Sequence, residues 1–71
     1  MKITRKLSHE ELAKEFIKIN TGVTVLNWYP LINDDCKKYA DEEQPIIRVD
    51  LKGGNWLRVY VCKEYKEITW Y

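Results

Sequence analysis

The chain has 71 residues, of which 45% are hydrophobic and 32% are charged, and its formal net charge is +1 at pH 7. These values predict one small soluble domain and argue against a disordered chain. A net charge near zero also argues against a general nucleic-acid coat and against an acidic mimic of nucleic acid. No apolar run approaches the roughly 20 residues of a membrane-spanning helix. We expect no signal peptide, because no apolar segment follows the basic residues at the start, and therefore expect a cytoplasmic protein.

Two cysteines and one histidine limit the metal chemistry of the chain. Cys36 and Cys62 lie 26 positions apart, and His9 is the only histidine. Because a zinc site needs about four ligands at short paired spacings, we predict no metal site and no cofactor. Without a secretory signal, two free thiols are favoured over a disulfide.

The first predicted element is a helix over residues 8–20. Ser8 and Glu11 match the capping box, in which the two side chains satisfy free amides at a helix N-terminus. Gly22 supplies the end of the helix, because glycine tolerates a left-handed backbone. The apolar helical face consists of Leu12, Ala13, Phe16, Ile17 and Ile19.

The middle of the chain predicts an extended segment followed by a second helix. Residues 23–26 are short and β-branched, which leaves a strand and an extended linker as alternatives. Pro30 fits the first turn of a helix, and we predict a helix over residues 30–42. Its apolar residues at helical spacing are Ile32, Cys36, Tyr39 and Ala40.

The last third of the chain predicts a three-stranded antiparallel β-meander. Hydrophobic and polar residues alternate within strands at about residues 45–52, 56–63 and 67–71. Two short helices packed on one side of such a sheet give a single α+β domain over residues 1–71.

The register of the first hairpin is predicted from its charges. A loop of residues 53–55 places Arg48 opposite Tyr60. A loop of residues 52–54 would place Arg48 opposite Arg58, and like charges directly opposite each other destabilise a sheet. We therefore predict the loop of residues 53–55.

The second hairpin is predicted to pair Val61 with Ile68 and Val59 with Trp70, which keeps one face of the sheet apolar. The strand at residues 67–71 is then an edge strand with free backbone groups. Pairing with another strand, either by β-augmentation or in a homodimer through this C-terminal edge, is a further interpretation.

The other face of the sheet is the candidate partner-binding surface, and it carries Arg48, Trp56, Arg58, Tyr60 and Tyr71. Because tryptophan, tyrosine and arginine dominate the energetics of protein interfaces, another protein is the predicted partner. The same residue types stack on unpaired bases and hold phosphates, so single-stranded nucleic-acid binding is the alternative. Two structural interpretations compete with both. In one, these side chains pair only with one another across the strands. In the other, the second helix covers them and they belong to the core.

No motif in the sequence predicts catalysis, and we expect that the protein is not an enzyme. His9 lies at the start of a helix, and the acidic residues at 34–35 and 41–43 are typical of solvated helix ends. The glycines at positions 53 and 54 lack the strand–loop–helix context of a phosphate-binding loop. A catalyst assisted by Cys36 or Cys62 is a third and weaker hypothesis.

Residues 55–60 (NWLRVY) and 68–71 (ITWY) resemble hairpin tails of small proteins from Gram-positive phages and mobile elements. The resemblance covers under a quarter of the chain, assigns it to no family and carries over no functional residue. Some small phage proteins, anti-CRISPR proteins among them, inhibit host or defence enzymes by covering a working surface. The resemblance therefore implies an inhibitor of a host or defence protein.

Overall fold

The computed structural model, which describes residues 2–71, begins with the helix that the capping box predicts. Helix α1 spans His9–Ile19, and Ser8 is its N-cap. Asn20 is the C-cap and its amide donates to the Phe16 carbonyl, while Gly22 has no positive φ. The prediction that a left-handed Gly22 ends the helix is therefore wrong. Ser8 Oγ accepts a hydrogen bond from the Glu11 amide at 3.0 Å, and Glu11 Oε1 accepts one from the Ser8 amide at 2.9 Å. Ile17 and Ile19 are exposed, so the buried face of α1 is narrower than predicted. Ile19 lies in the last turn, where it lines an open groove beside the sheet.

Four antiparallel strands form one sheet in the order β1-β2-β3-β4. They are β1 (Val25–Pro30), β2 (Ile46–Leu51), β3 (Trp56–Val61) and β4 (Ile68–Trp70). Strands β2, β3 and β4 are the predicted meander. Strand β1 is a fourth strand, and it includes residues 25 and 26 of the segment for which a strand and an extended linker were the alternatives. Over residues 2–71 the protein is thus a small α+β domain with one α-helix and a four-stranded sheet.

The predicted second helix over residues 30–42 is wrong. Strand β1 runs through Pro30, and the Leu31 amide then donates to the Ile46 carbonyl at 3.0 Å, so this part of the chain is extended. Proline is tolerated because β1 is an edge strand, where the missing amide would point away from the sheet. Within residues 30–42 only Asp35–Lys38 is helical, as a single 3-10 turn.

The first hairpin has the register that the charge argument rejected. Arg48 lies directly opposite Arg58, and the loop is residues 52–54, so the prediction of a loop at residues 53–55 is wrong. Gly53 and Gly54 have φ values of +104° and +90°, which glycine adopts far more readily than other residues. In the second hairpin, by contrast, both predicted strand pairings are confirmed.

Helix α1 packs on one face of the sheet, called the inner face, and forms the main core there. Its buried members are Leu7, Leu12, Ala13, Phe16, Ile47, Val49, Val59 and Val61. The Phe16 and Trp70 rings meet edge to face, with their centroids 5.4 Å apart. Full burial of a large apolar side chain such as Phe16 contributes about 1.5–3 kcal/mol.

The opposite face, called the outer face, is covered at one end by residues 34–40, which we call the cover segment. Cys36 and Ala40 of this segment are buried against Tyr60, with Ile46 beside them. The sheet is therefore buried on both faces at this end, whereas the rest of the outer face is open.

Gln44, between the cover segment and β2, connects to the chain before α1. Its Oε1 accepts a hydrogen bond from the Leu7 amide at 2.9 Å, and its Nε2 donates one to the Arg5 carbonyl at 2.8 Å. One side chain thus joins the chain before α1 to the connection that leads into β2.

Candidate functional site

The open part of the outer face carries alternating aromatic rings and guanidinium groups. Tyr29 comes from β1, Arg48 from β2, Trp56 and Arg58 from β3, and Tyr71 directly follows β4. Arg48 Cζ lies 5.6 Å from the Tyr29 ring centroid and 4.3 Å from the Trp56 centroid. Arg58 Cζ lies 4.6 Å from the Trp56 centroid and 4.7 Å from the Tyr71 centroid. We call these five side chains the aromatic–arginine row.

Each arginine of the row is paired with its own carboxylate. Arg48 Nε donates to Asp50 Oδ1 at 2.8 Å, and Arg58 Nε donates to Asp34 Oδ1 at 2.7 Å. Trp56 also offers its ring to both guanidinium groups, an arrangement that attracts cations. These contacts explain why the hairpin tolerates Arg48 opposite Arg58.

The ion pair between Asp34 and Arg58 fixes the cover segment to the sheet. Burial opposes ionisation of Asp34, but hydrogen bonds from the Cys36 amide and from Arg58 outweigh it and hold the pKa of the carboxyl below its ordinary value. The bond to Asp34 in turn raises the pKa of Arg58. A second ion pair, in which Lys66 Nζ lies 2.8 Å from Asp41 Oδ2, holds the chain just after the cover segment.

Tyr60 is placed differently from the other predicted site residues. It lies under the cover segment with only 5% of its surface exposed, and burial raises the pKa of its hydroxyl. Its ring meets the Tyr71 ring edge to face at 6.2 Å. The structure therefore brings Arg48, Trp56, Arg58 and Tyr71 together at the surface and puts Tyr60 beneath them as a support for Tyr71.

Two residues of the site were not identified from the sequence. Tyr29 is not among the predicted site residues, because an aromatic residue just before Pro30 suits the core as well as a surface, although aromatic residues at positions 28 and 29 favour a strand. Asp34 was read as a solvated helix end, and no local pattern links it to Arg58, which lies 24 positions further along the chain.

The remaining features of the described residues bear on other classes of function. They hold no group of three or more His, Cys, Asp or Glu side chains that could bind a metal ion, and no helix within residues 2–71 is long and apolar enough to cross a membrane. Cys36 and Cys62 are free thiols, and burial together with the nearby Asp34 raises the pKa of Cys36 to about 11, which lowers its reactivity as a nucleophile.

No protein-family model, curated protein or solved structure matches this chain.

Proposed function

We propose that this domain works by binding another protein through the aromatic–arginine row and supplies no catalytic step itself. The observation that carries the proposal is the row, in which three aromatic rings and two guanidinium groups alternate across the sheet, with each guanidinium carbon within 5.6 Å of two ring centroids. Tyr29 and Tyr71, at its two ends, are 38% and 46% exposed. Because these contacts and the two ion pairs already hold the side chains in place, little conformational entropy is lost when a partner covers them.

The charges of the row favour a protein partner over a nucleic acid. Both arginine Nε atoms donate to carboxylates of this chain, so the positive charge of the row is largely compensated locally. Binding to phosphates depends on uncompensated positive charge. The alternative of single-stranded nucleic-acid binding is supported by the aromatic rings alone, since bases stack on such rings.

A module of this kind acts by occupying a surface of its partner. Tyrosine rings at both ends of the row suit shallow apolar pockets, and the outward guanidinium N–H groups suit carbonyl or carboxylate oxygens. We propose that the partner is a host or defence protein whose working surface is covered, the role that the resemblance of the hairpin tail to phage proteins implies.

The proposal is tested by nuclease-treated capture of a partner from bacterial lysate, followed by affinity measurement with the purified partner. The test variant is Tyr29→Ala, and Tyr65→Ala is its matched control, because Tyr65 is also an exposed tyrosine but lies outside the row. We expect Tyr29→Ala to weaken binding at least about tenfold, as interface tyrosines do, and Tyr65→Ala to leave it unchanged. Equal affinities for both variants and the wild-type protein would place the binding surface elsewhere.

The nucleic-acid alternative is tested by titrating single-stranded oligonucleotides at increasing salt. Binding driven by phosphate contacts weakens by orders of magnitude between low and moderate salt, whereas an interface anchored by aromatic rings loses little. Tight, salt-sensitive oligonucleotide binding that Tyr29→Ala weakens would replace the protein partner by a nucleic acid.

A further inference from the structure

Strand β4 has backbone N–H and C=O groups that form no hydrogen bonds with another strand. Tyr71 and Arg58 exchange hydrogen bonds in both directions, at 2.8 and 3.1 Å. Because bonded and non-bonded pairs alternate along an antiparallel ladder, Thr69 bonds to β3, whereas Ile68 and Trp70 direct their N–H and C=O groups away from it. Over residues 2–71 no backbone hydrogen bond is made to these outward groups.

A hydrogen bond from the N-terminal segment already occupies the start of this edge, and a groove lies beside the rest of it. The Lys66 carbonyl accepts the Ile3 amide at 2.6 Å, so a strand added to the edge has Ile68 and Trp70 as its bonding positions. The groove separates β4 from α1, and Ile3, Ile19, Ile68 and Trp70 supply its apolar lining. A strand that pairs with β4 would therefore also cover apolar surface.

We propose that β4 pairs antiparallel with β4 of a second copy of this chain and joins two four-stranded sheets into one. The two-fold axis passes beside Thr69. In this register Ile68 lies opposite Trp70 of the second copy, and both residues donate and accept hydrogen bonds across the new interface. Thr69 faces Thr69 of the second copy as a non-hydrogen-bonded pair, in which side chains approach closely.

The β4 edge can pair antiparallel with an identical strand without bringing like charges together, and for this reason we assign a second copy of the chain as its partner. In a two-fold antiparallel pair, a charged residue at the centre would face its own like charge. The side chains of residues 68–71 carry no charge, and Glu67, the first charged side chain before them, would lie opposite Tyr71 of the second copy. The other edge of the sheet is less suitable, because β1 has an irregularity between Val25 and Asn27 and ends in Pro30, features that limit strand pairing at an edge.

This dimer does not depend on the proposed function, but it would extend the surface that we assign to that function. A two-fold axis perpendicular to the sheet puts both outer faces on the same side. Tyr71 lies two residues from the axis and opposite Glu67 of the second copy. The two aromatic–arginine rows would therefore lie on the same side of the joined sheet, with their Tyr71 ends offset by four residues, or about 13 Å, along the strands.

The proposal is tested with charges placed at the two-fold axis. The variants Thr69→Lys and Thr69→Glu each put like charges opposite each other in the dimer, whereas a mixture of the two puts opposite charges together. Sedimentation equilibrium from about 10 µM to about 1 mM protein covers the expected range of dissociation constants. We expect the wild-type mass to rise from 8.6 kDa towards twice that value. Each variant alone should dissociate about fivefold more readily than wild type, and the mixture should recover wild-type association.

Matched controls and a second measurement keep the test independent of folding. Thr24→Lys and Thr24→Glu, at an exposed position beside the opposite edge, should leave association unchanged. In the wild-type protein, hydrogen exchange of the Ile68 and Trp70 amides should slow as protein concentration rises, while the Thr69 amide, bonded to β3, should not respond. A mass of 8.6 kDa at all concentrations overturns the proposal. So does a dimer in which the exchange of Ile68 and Trp70 is independent of concentration, or one that the Thr69 charges do not affect.

Discussion

The substitution Asp34→Ala removes two hydrogen bonds from one oxygen atom, because Asp34 Oδ1 accepts from Arg58 Nε at 2.7 Å and from the Cys36 amide at 3.0 Å. A hydrogen bond to a charged group contributes about 1.5–3 kcal/mol, and a helix-capping bond about 1 kcal/mol. The Asp34 and Arg58 side chains are 15% and 26% exposed, so water weakens the ion pair in part. We therefore expect the free energy of unfolding to fall by about 2 kcal/mol, out of the few kcal/mol typical of a domain this small.

Comparison with Asp34→Asn separates the contribution of the bond from Arg58 from that of the bond from the Cys36 amide. Asparagine keeps an oxygen that accepts from the Cys36 amide but loses the negative charge beside Arg58, so we expect a loss of about 1 kcal/mol. The matched control is Asp50→Ala, which breaks the ion pair with Arg48. Those two side chains are 28% and 33% exposed, and such a pair contributes about 1 kcal/mol at most.

Urea denaturation followed by circular dichroism measures these differences in unfolding free energy. The reasoning fails if Asp34→Ala stays within about 0.5 kcal/mol of the wild-type protein, the usual range for surface substitutions. It also fails if Asp50→Ala costs as much as Asp34→Ala, because the cover segment would then have no special dependence on Asp34.

Acidification should remove the stabilisation that the Asp34 carboxylate contributes to the folded protein. The pKa of Asp34 is lowered in the folded protein, so the folded state holds its proton less tightly than the unfolded state does. The stabilisation is therefore present above the ordinary carboxyl pKa and is lost as the pH falls through the lowered value. Because the side chain of Asp34→Asn does not titrate, the stability difference between that variant and the wild-type protein should shrink as the pH falls.

Two further predictions concern the turn and the helix start, and both are measured by the same denaturation experiment. Gly53→Ala and Gly54→Ala should each lower the unfolding free energy by about 1 kcal/mol or more, because both φ values are positive. Gly22→Ala, at an open position without a positive φ, should have little effect, and an equal loss there would contradict the account of the turn. Ser8→Ala should remove about 1 kcal/mol, whereas Ser8→Asn, which keeps a capping oxygen, should remove less. Equal losses for the two Ser8 variants would show that the cap contributes little.

The parts of the fold that were predicted correctly depend on local patterns. The capping box is complete within four consecutive residues, and α1 begins where it indicates. The pairing of β3 with β4 follows from alternating apolar residues across a short connection. In both cases the residues that determine the structure are close together in the sequence.

The second helix was predicted from a spacing that has another explanation. Cys36 and Ala40 lie four positions apart and are both buried, as in a helix, but they face Tyr60 of the sheet from a 3-10 turn and the residues after it. Helical spacing of apolar residues does not distinguish a helix from an irregular segment that packs at two points. Pro30 added to the error, because it suits both a helix start and the end of an edge strand.

The predicted register of the first hairpin was wrong because charges were considered only between residues directly opposite each other on the two strands. Asp50 neutralises Arg48 along its own strand, and Asp34 neutralises Arg58 from the cover segment. Once each arginine has a carboxylate and a shared Trp56 ring, the repulsion between them no longer decides the register. The contact from Asp34 depends on the tertiary fold, so pairwise strand rules do not include it.

The two hydrogen bonds of the Gln44 side chain have a consequence for how the domain opens. They join the chain before α1 to the connection that leads from the cover segment into β2. We therefore expect release of the cover segment from the outer face to weaken the contacts of the chain that positions α1 on the inner face. Hydrogen exchange should then show α1 and the cover segment opening together, as one cooperative unit instead of two independent ones.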